Sequence, residues 1–381
     1  MTDWKIPLYK IYTDDEDLNL ITKIIKRGKD WALGPEIEEL ENTLKNYVGA
    51  DYCITLNSGT SALHSTLLAY EIGTNDEVIV PSFSFISTVN SVLFVNGTPK
   101  FSDIEEITYG LDPKLLSQQI TPKTKVIMPM DYGGMSCQIN EIKKIAEQNN
   151  LILIEDAAES LGSSVKGKKT GSIADSSIFS FCGNKVLTTG EGGAVVTNSK
   201  EVYEKIKLIR SHGRLDKKSY FENPSMANYL QLGYNWRMSS MTAALGISQL
   251  HKLDKIIKMR QNNAAYISER LKKIPEIQVP SPPNDYDHIY QMYSIRLANN
   301  QIREKLHEFL LEKSIFSKVY FYPIHKTSFY QNQISTIDSN LPVTESVSNE
   351  ILTLPMYPNM TNEEKNYLVQ SIYEFFETKQ I

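Results

Sequence analysis

Lys185 lies in the stretch SIFSFCGNKVLTTGEGGAVVT, Ser177 to Thr197, between an apolar run at Ile178 to Phe181 and another at Ala194 to Val196. A lysine in a tight loop between two buried strands either snorkels to solvent or does chemistry, because burying its charge unpaired is costly. Three other groups bear on the choice. Asn57-Ser58-Gly59-Thr60-Ser61 follows the apolar run Tyr52 to Leu56 and opens a helical pattern with Leu63, Leu67 and Tyr70 on one face. Such a turn exposes backbone N–H groups and the positive end of the helix dipole, which suits a phosphate, although it also serves as a plain N-cap. In PSFSFISTVN, Phe83 and Phe85 either turn a ring face to a planar ligand or fill the core. Glu155-Asp156-Ala157-Ala158-Glu159 places carboxylates directly after the apolar run Leu151 to Ile154, where an unpaired one would be driven to its neutral form.

Each feature alone has an ordinary structural explanation; their joint occurrence in this order does not. A phosphate cup, an aromatic plate, a carboxylate and a lysine match the needs of pyridoxal 5'-phosphate (PLP). The lysine amine forms a Schiff base, the carboxylate keeps the ring nitrogen protonated so that the ring withdraws electrons, and the helix start holds the phosphate. These groups meet if each sits at the carboxyl end of a strand in one open sheet.

The elements needed for that are present. Leu18, Ile21 and Ile25 recur at helical spacing and stop at Gly28, and Ile37, Leu40, Leu44 and Val48 do so and stop at Gly49. Seven short apolar runs then alternate with helical segments: Tyr52 to Leu56, Glu77 to Val80, Pro99 to Ile104, Val126 to Met130, Leu151 to Glu155, Ile178 to Phe181 and Ala194 to Val196. Most lack strict alternation, as strands covered on both faces do, and they predict a largely parallel α/β sheet. A helix from Lys200 to about Ser211 and a long one over Leu253 to Leu271 follow. Beyond four prolines between Pro275 and Pro283 come HIYQMYSIRL (strand), REKLHEFLLEK (helix), KVYFYPIH (strand) and a C-terminal helix opened by Thr361 and Glu364 at capping-box spacing. The expected division is a large domain over residues 1–250, including the N-terminal segment, and a smaller α+β domain over 251–381.

Composition removes several classes of function. The 381 residues carry a formal charge of -5 and no basic stripe, which argues against nucleic acid as a partner. The N-terminus has no uninterrupted apolar region, and there is no 18-residue apolar run, so the expectation is a soluble protein that is not exported. Cys53, Cys137 and Cys182 are widely spaced, odd in number and without a CxxC, indicating neither a disulfide framework nor a zinc site; a reducing cytoplasm fits.

The order NSGTSAL, VPSFSFISTVN, IEDAAESLGS, FSFCGNKVLTTGEGGAVVTN and GYNWRMSSMTAALGISQL resembles the DegT/DnrJ/EryC1 sugar aminotransferases, with IPLYK, LGPEIEELE and LPMYPNMTNEE extending the likeness over nearly the whole chain. The resemblance implies the fold-type I, aspartate aminotransferase-like architecture. It makes Lys185 the Schiff-base lysine, Asp156 the partner of the pyridinium nitrogen and Glu159, where the family often has Gln, a neighbour of the ring hydroxyl. Phe85 would stack on the ring, and Ser58, Gly59, Thr60 and Ser180 would hold the phosphate, joined by Asn235 from the other subunit of a homodimer. Arg237, Tyr320 and His325 are the substrate-side candidates. NWRM, Asn235 to Met238, is similar to the NYRM form of enzymes that aminate C4 of the sugar, which implies transfer from L-glutamate to a nucleotide-linked 4-keto-6-deoxyhexose. Amination at C3 is the nearest alternative. The family's 3-dehydratases carry His in place of the lysine, and Lys185 argues against that branch; a non-catalytic sugar-nucleotide sensor would not need a Schiff-base lysine. Two departures stand out: MDYGG replaces the frequent His-Leu-Tyr-Gly, and Cys182-Gly183 replaces a commoner His-Pro pair. Choice of nucleotide and hexose is expected to lie with the N-terminal segment, the Arg214 to Leu232 loop and the Lys318 to His325 stretch.

Overall fold

The structure, a computed structural model, describes residues 4–214, 228–333 and 340–378. Residues 215–227 of the loop expected to contact substrate therefore lie outside the described residues. Helix α1 (Asp15–Arg27) is opened by a capping box on Asp14 and Asp17 and stopped by Gly28 at φ 71°. Helix α2 (Pro35–Val48) has proline in its first turn and stops at Gly49, φ 87°. In α1 the expected face is wrong: Leu18 and Ile25 are exposed, while Asp17 and Ile24 are buried. Asp17 is drawn inward because its carboxylate takes hydrogen bonds from Lys252 Nζ (2.9 Å) and Gln249 Nε2 (3.1 Å).

The strands and helices then alternate: β1 (Tyr52–Leu56), α3 (Gly59–Ala69), β2 (Glu77–Pro81), α4 (Ile86–Phe94), β3 (Thr98–Ser102), α5 (Pro113–Gln119), β4 (Thr124–Ile127), α6 (Ile139–Gln148) and β5 (Ile152–Asp156). Two short strands, β6 (Ser164–Val165) and β7 (Lys168–Lys169), precede β8 (Ser176–Ser180), β9 (Gly193–Thr197) and α7 (Lys200–Ile209). All seven apolar runs enter one sheet of order β1-β9-β8-β5-β4-β2-β3. Only β9 runs against its neighbours. Alternate residues feed opposite cores: Ile54, Val78, Val126 and Ile154 pack with α3 and α4, whereas Cys53, Ile79, Ile127 and Leu153 lie on the other side. Burial on both faces is why the runs read as continuously apolar.

After α8 (Ser240–His251) and α9 (Leu253–Leu271) come β10 (Ile277–Gln278), β11 (Tyr286–Asp287), β12 (Tyr293–Leu297), α10 (Asn300–Glu312), α11 (Ser328–Gln333), α12 (Pro342–Glu350), β13 (Ile351–Leu354) and α13 (Asn362–Thr378). Strands β10, β12 and β13 form an antiparallel sheet whose Tyr293, Ile295 and Leu352 join Ile267, Leu306 and Phe375 in a separate core. Ile6 joins that core and pairs with Ile315. The capping box of α13 is made: Thr361 N–H donates to Glu364 (2.8 Å) and Glu364 N–H to Thr361 Oγ1 (3.1 Å).

KVYFYPIH is not a strand. Lys318 makes a single bridge to Thr353, and Ile324–Lys326 is a turn of 3-10 helix. Val319, Tyr320 and Phe321 all pack on one apolar cluster instead of alternating, and Pro323 has no N–H for a ladder. In HIYQMYSIRL the strand is confined to Tyr293–Leu297.

Candidate active site

A cavity of about 470 Å³ is lined by Ser58, Gly59, Thr60, Phe85, Asp156, Glu159, Ser180, Lys185 and Tyr320, nine of the twelve residues singled out in the sequence. Tyr9, Thr88, Cys182, Glu191 and Phe321 also border it. The carboxyl ends of parallel β1, β5 and β8 deliver the first, fifth and seventh of these groups, as an open α/β sheet does.

Asp156 ends β5 and is 3% exposed. Thr88 Oγ1 donates to its Oδ2 (2.7 Å) and Ala158 N–H to its Oδ1 (3.2 Å). Burial nonetheless raises the pKa of this carboxyl above its usual range; the two hydrogen bonds and the charge of Lys185 pull the other way. Lys185 Nζ lies 3.1 Å from Glu159 Oε1, with the lysine side chain 13% exposed. Glu159 is fixed in turn, its Oε2 accepting from Gly133 N–H (3.0 Å). The MDYGG departure thus places a backbone donor beside Glu159.

Ser58 is the N-cap of α3, its hydroxyl accepting from Ser61 N–H (3.1 Å), and Thr60 Oγ1 lies 2.8 Å from Ser87 Oγ. A Cβ at Gly59 would stand 3.0 Å from Ser180 Cβ, so the start of α3 and the end of β8 approach closely only because position 59 lacks a side chain. Of the two phenylalanines, Phe83 is fully buried against Tyr132, and Phe85, at the N-cap of α4, is 57% exposed at the cavity wall.

Three residues lie apart from this cavity. Asn235 is exposed and bridges Ser211 through its backbone, and Arg237 Nη1 donates to Ser211 Oγ (3.0 Å). His325 has Nδ1 at 2.7 Å from Ser82 Oγ and Nε2 at 3.3 Å from Glu345 Oε1; burial lowers its pKa, and both nitrogens are engaged away from the site. Sequence reasoning missed Thr88 and Tyr9. Thr88 follows Phe85 by one helical turn at a strand end, a findable signal; Tyr9 had none. A slightly larger crevice of about 510 Å³, between α2 and α7, has Cys53 at its base, but burial pushes that thiol's pKa well up and leaves it unreactive.

The chain is similar to known proteins along its whole length. A protein of Escherichia coli O157:H7 named GDP-perosamine synthase is 33% identical over 374 residues, covering 98% of this chain and 99% of the relative. The structure of Helicobacter pylori PseC, an aminotransferase involved in the biosynthesis of pseudoaminic acid, matches with a TM-score of 0.91 at 28% identity, over 98% of this chain and 99% of that one. A Streptococcus pneumoniae structure in its PLP form matches with a TM-score of 0.90 at 25% identity, over 98% of each chain. The architecture is therefore that of fold-type I PLP enzymes. With the model of the DegT/DnrJ/EryC1/StrS aminotransferase family matching residues 12–373, the chain belongs to that family and is a PLP-dependent sugar aminotransferase.

Proposed function

We propose that the enzyme transfers the amino group of L-glutamate to the C4 keto group of a nucleotide-linked 4-keto-6-deoxyhexose, for glycan biosynthesis. The observation that carries the catalytic reading is the convergence of Lys185, Asp156 and the start of α3 on one cavity. Support for a nucleotide-sugar acceptor comes from the 33% identical GDP-perosamine synthase, and support for C4 from the NWRM string.

The residues fit PLP on grounds of their own. Burial keeps the pKa of Asp156 raised even with Lys185 nearby, so a further cation against this carboxylate, such as a protonated ring nitrogen, would be stabilised there. Gly59, lacking a side chain, lets the N-terminus of α3 close on the end of β8, so that Ser58, Thr60 and Ser180 border one cavity where the helix dipole would favour a phosphate. Bound there, the cofactor would supply an aldehyde that links to amines and a ring that withdraws electrons from the adjoining carbon.

The protein's part is to bind, orient and move one proton. Lys185 Nζ would carry the covalent link at rest. Once displaced, the free amine would take the proton from the glutamate α-carbon and return it to the carbon on the far side of the amino nitrogen; with the sugar it would run the same transfer in reverse. Glutamate leaves as 2-oxoglutarate and the ketone becomes an amine, so the two halves balance. Glu159 would neighbour the ring hydroxyl, and its contact with Nζ would keep the amine inside the cavity between steps. Phe85 would cover one ring face, and Ser58, Gly59, Thr60 and Ser180 would hold the phosphate. Tyr320 is the substrate-side residue that borders the cavity. Asn235, exposed and outside its own cavity, is assigned to the site of a second copy in a homodimer.

Lys185→Ala should abolish turnover of L-glutamate with a 4-keto-6-deoxy sugar nucleotide while leaving the circular dichroism unchanged. Steady-state transamination by the folded variant would sink the assignment. NMR of the product locates the new amine, and nitrogen at C3 would replace C4 in the proposal.

A further inference from the structure

Lys185 is held at its main chain as well as at its ammonium. The side chain that holds the main chain is Gln291. Its Oε1 accepts from Val186 N–H (2.7 Å) and its Nε2 donates to Asn184 O (2.8 Å), so one carboxamide takes the peptide groups on both sides of the lysine. Gln291 is 5% exposed.

The backbone of Gln291 is itself fixed. Ile289 and Met292 N–H donate to Gly134 O (2.9 Å) and Gly133 O (3.0 Å), and Arg260 Nη1 donates to Gln291 O (3.3 Å). Gly134 adopts φ +101°, and a Cβ there would stand 2.7 Å from Gln291 N. The same glycine turn reaches the other end of the lysine, since Gly133 N–H donates to Glu159, whose second oxygen holds Nζ. One turn, Gly133–Gly134, thus anchors both the peptide groups beside Lys185 and its amine.

We propose that Gln291 is a positioning residue for amino transfer, fixing the Lys185 backbone while its side chain detaches and reattaches. This rests on the reading of Lys185 given above. A flexible four-carbon stem returns its amine to the same carbon only if its Cα stays in place, and small misplacements at a reacting atom cost rate rather than binding.

Two variants test it. Gln291→Leu removes both bonds and should lower kcat by about tenfold to a hundredfold, with the KM for glutamate little changed. In the cofactor-free protein, its Val186 amide should exchange hydrogen faster than in the parent. Gln291→Glu keeps the shape. Its protonated acid can accept from Val186 and donate to Asn184, whereas the carboxylate has no proton for Asn184 O. Relative to the parent, its kcat should therefore recover as pH falls, a response that a merely space-filling residue would not give; this variant carries the test if Gln291→Leu does not fold. Parental kcat, parental Val186 exchange and a parental pH profile would overturn the clamp. Lys185→Ala, run alongside, separates the two ideas: turnover surviving there removes the reading of the lysine, and turnover lost there but unaffected at position 291 removes the clamp alone.

Discussion

Asp156 shows stability and function opposed in one side chain. A carboxyl whose pKa is raised in the fold contributes stability below its ordinary value and loses it as pH rises through the raised one, so above the ordinary carboxyl range burying Asp156 costs the cofactor-free protein stability. Neutral Asp156→Asn keeps an acceptor for Ala158 N–H, its NH2 can donate to Thr88 Oγ1 once that hydroxyl turns its proton to Ser84 Oγ, and the charge is removed. Stripped of cofactor, the variant should melt a few °C higher than the parent at pH 7–8, and the gap should close toward pH 4. With cofactor restored, transamination should fall by about a hundredfold or more, because an amide cannot keep a ring nitrogen protonated. Differential scanning calorimetry against pH, with initial rates on the reloaded protein, checks both halves. A stabilised variant of parental activity would remove Asp156 from the ring-nitrogen role.

At the scale of elements, the site depends on how closely the start of α3 meets the end of β8. Gly59→Ala would set a Cβ 3.0 Å from Ser180 Cβ and 3.3 Å from its Oγ, so Ser180 must give by a few tenths of an ångström. Alanine suits a helix start, and the melting temperature should hold; cofactor affinity should fall about tenfold, the worth of one charge-assisted hydrogen bond set askew. A cofactor titration followed by absorbance decides, and an unchanged Kd would place the phosphate elsewhere. Much of this arrangement was legible beforehand. The seven sheet strands announced themselves because both faces are buried, and Gly28 and Gly49 stop their helices in the left-handed conformation that glycine adopts freely. Lys185, Asp156 and Ser58 could be placed because strand ends are where an open sheet gathers ligands. What the sequence hid are contacts set by tertiary structure. Leu18 and Ile25 have the spacing of a buried face, yet the ion pair of Asp17 with Lys252 turns another face inward. Gln291 sits in an ordinary apolar stretch, and nothing local ties it to Lys185; only the Gly133–Gly134 turn brings the two together.

For the whole molecule, the question is whether one chain makes a complete site. Asn235 lies on the surface beside the stacked rings of Tyr234 and Trp236 (centroids 3.9 Å apart, 5° between planes), and His64 packs against both. Burial lowers the pKa of His64 to about 4, so the ring is neutral at physiological pH and adds no charge to this aromatic face. Phe94, Leu230 and Leu232 are 50%, 54% and 82% exposed. Exposed aromatic and apolar side chains around a polar residue with no role in its own cavity support the proposal that Asn235 serves a second copy's phosphate. The test uses two-fold symmetry. Homodimers of Lys185→Ala lack the amine at position 185, and homodimers of Asn235→Asp would set a carboxylate against the phosphate, so each alone should be inactive or nearly so. In a mixed dimer the Asn235→Asp chain keeps its own Lys185 and receives an intact Asn235 from the other chain. That site is whole while its twin is doubly damaged. Random reassortment of equal amounts should therefore restore about a quarter of parental activity. If Asn235 instead serves its own chain, every site in the mixture keeps one defect and mixing restores nothing.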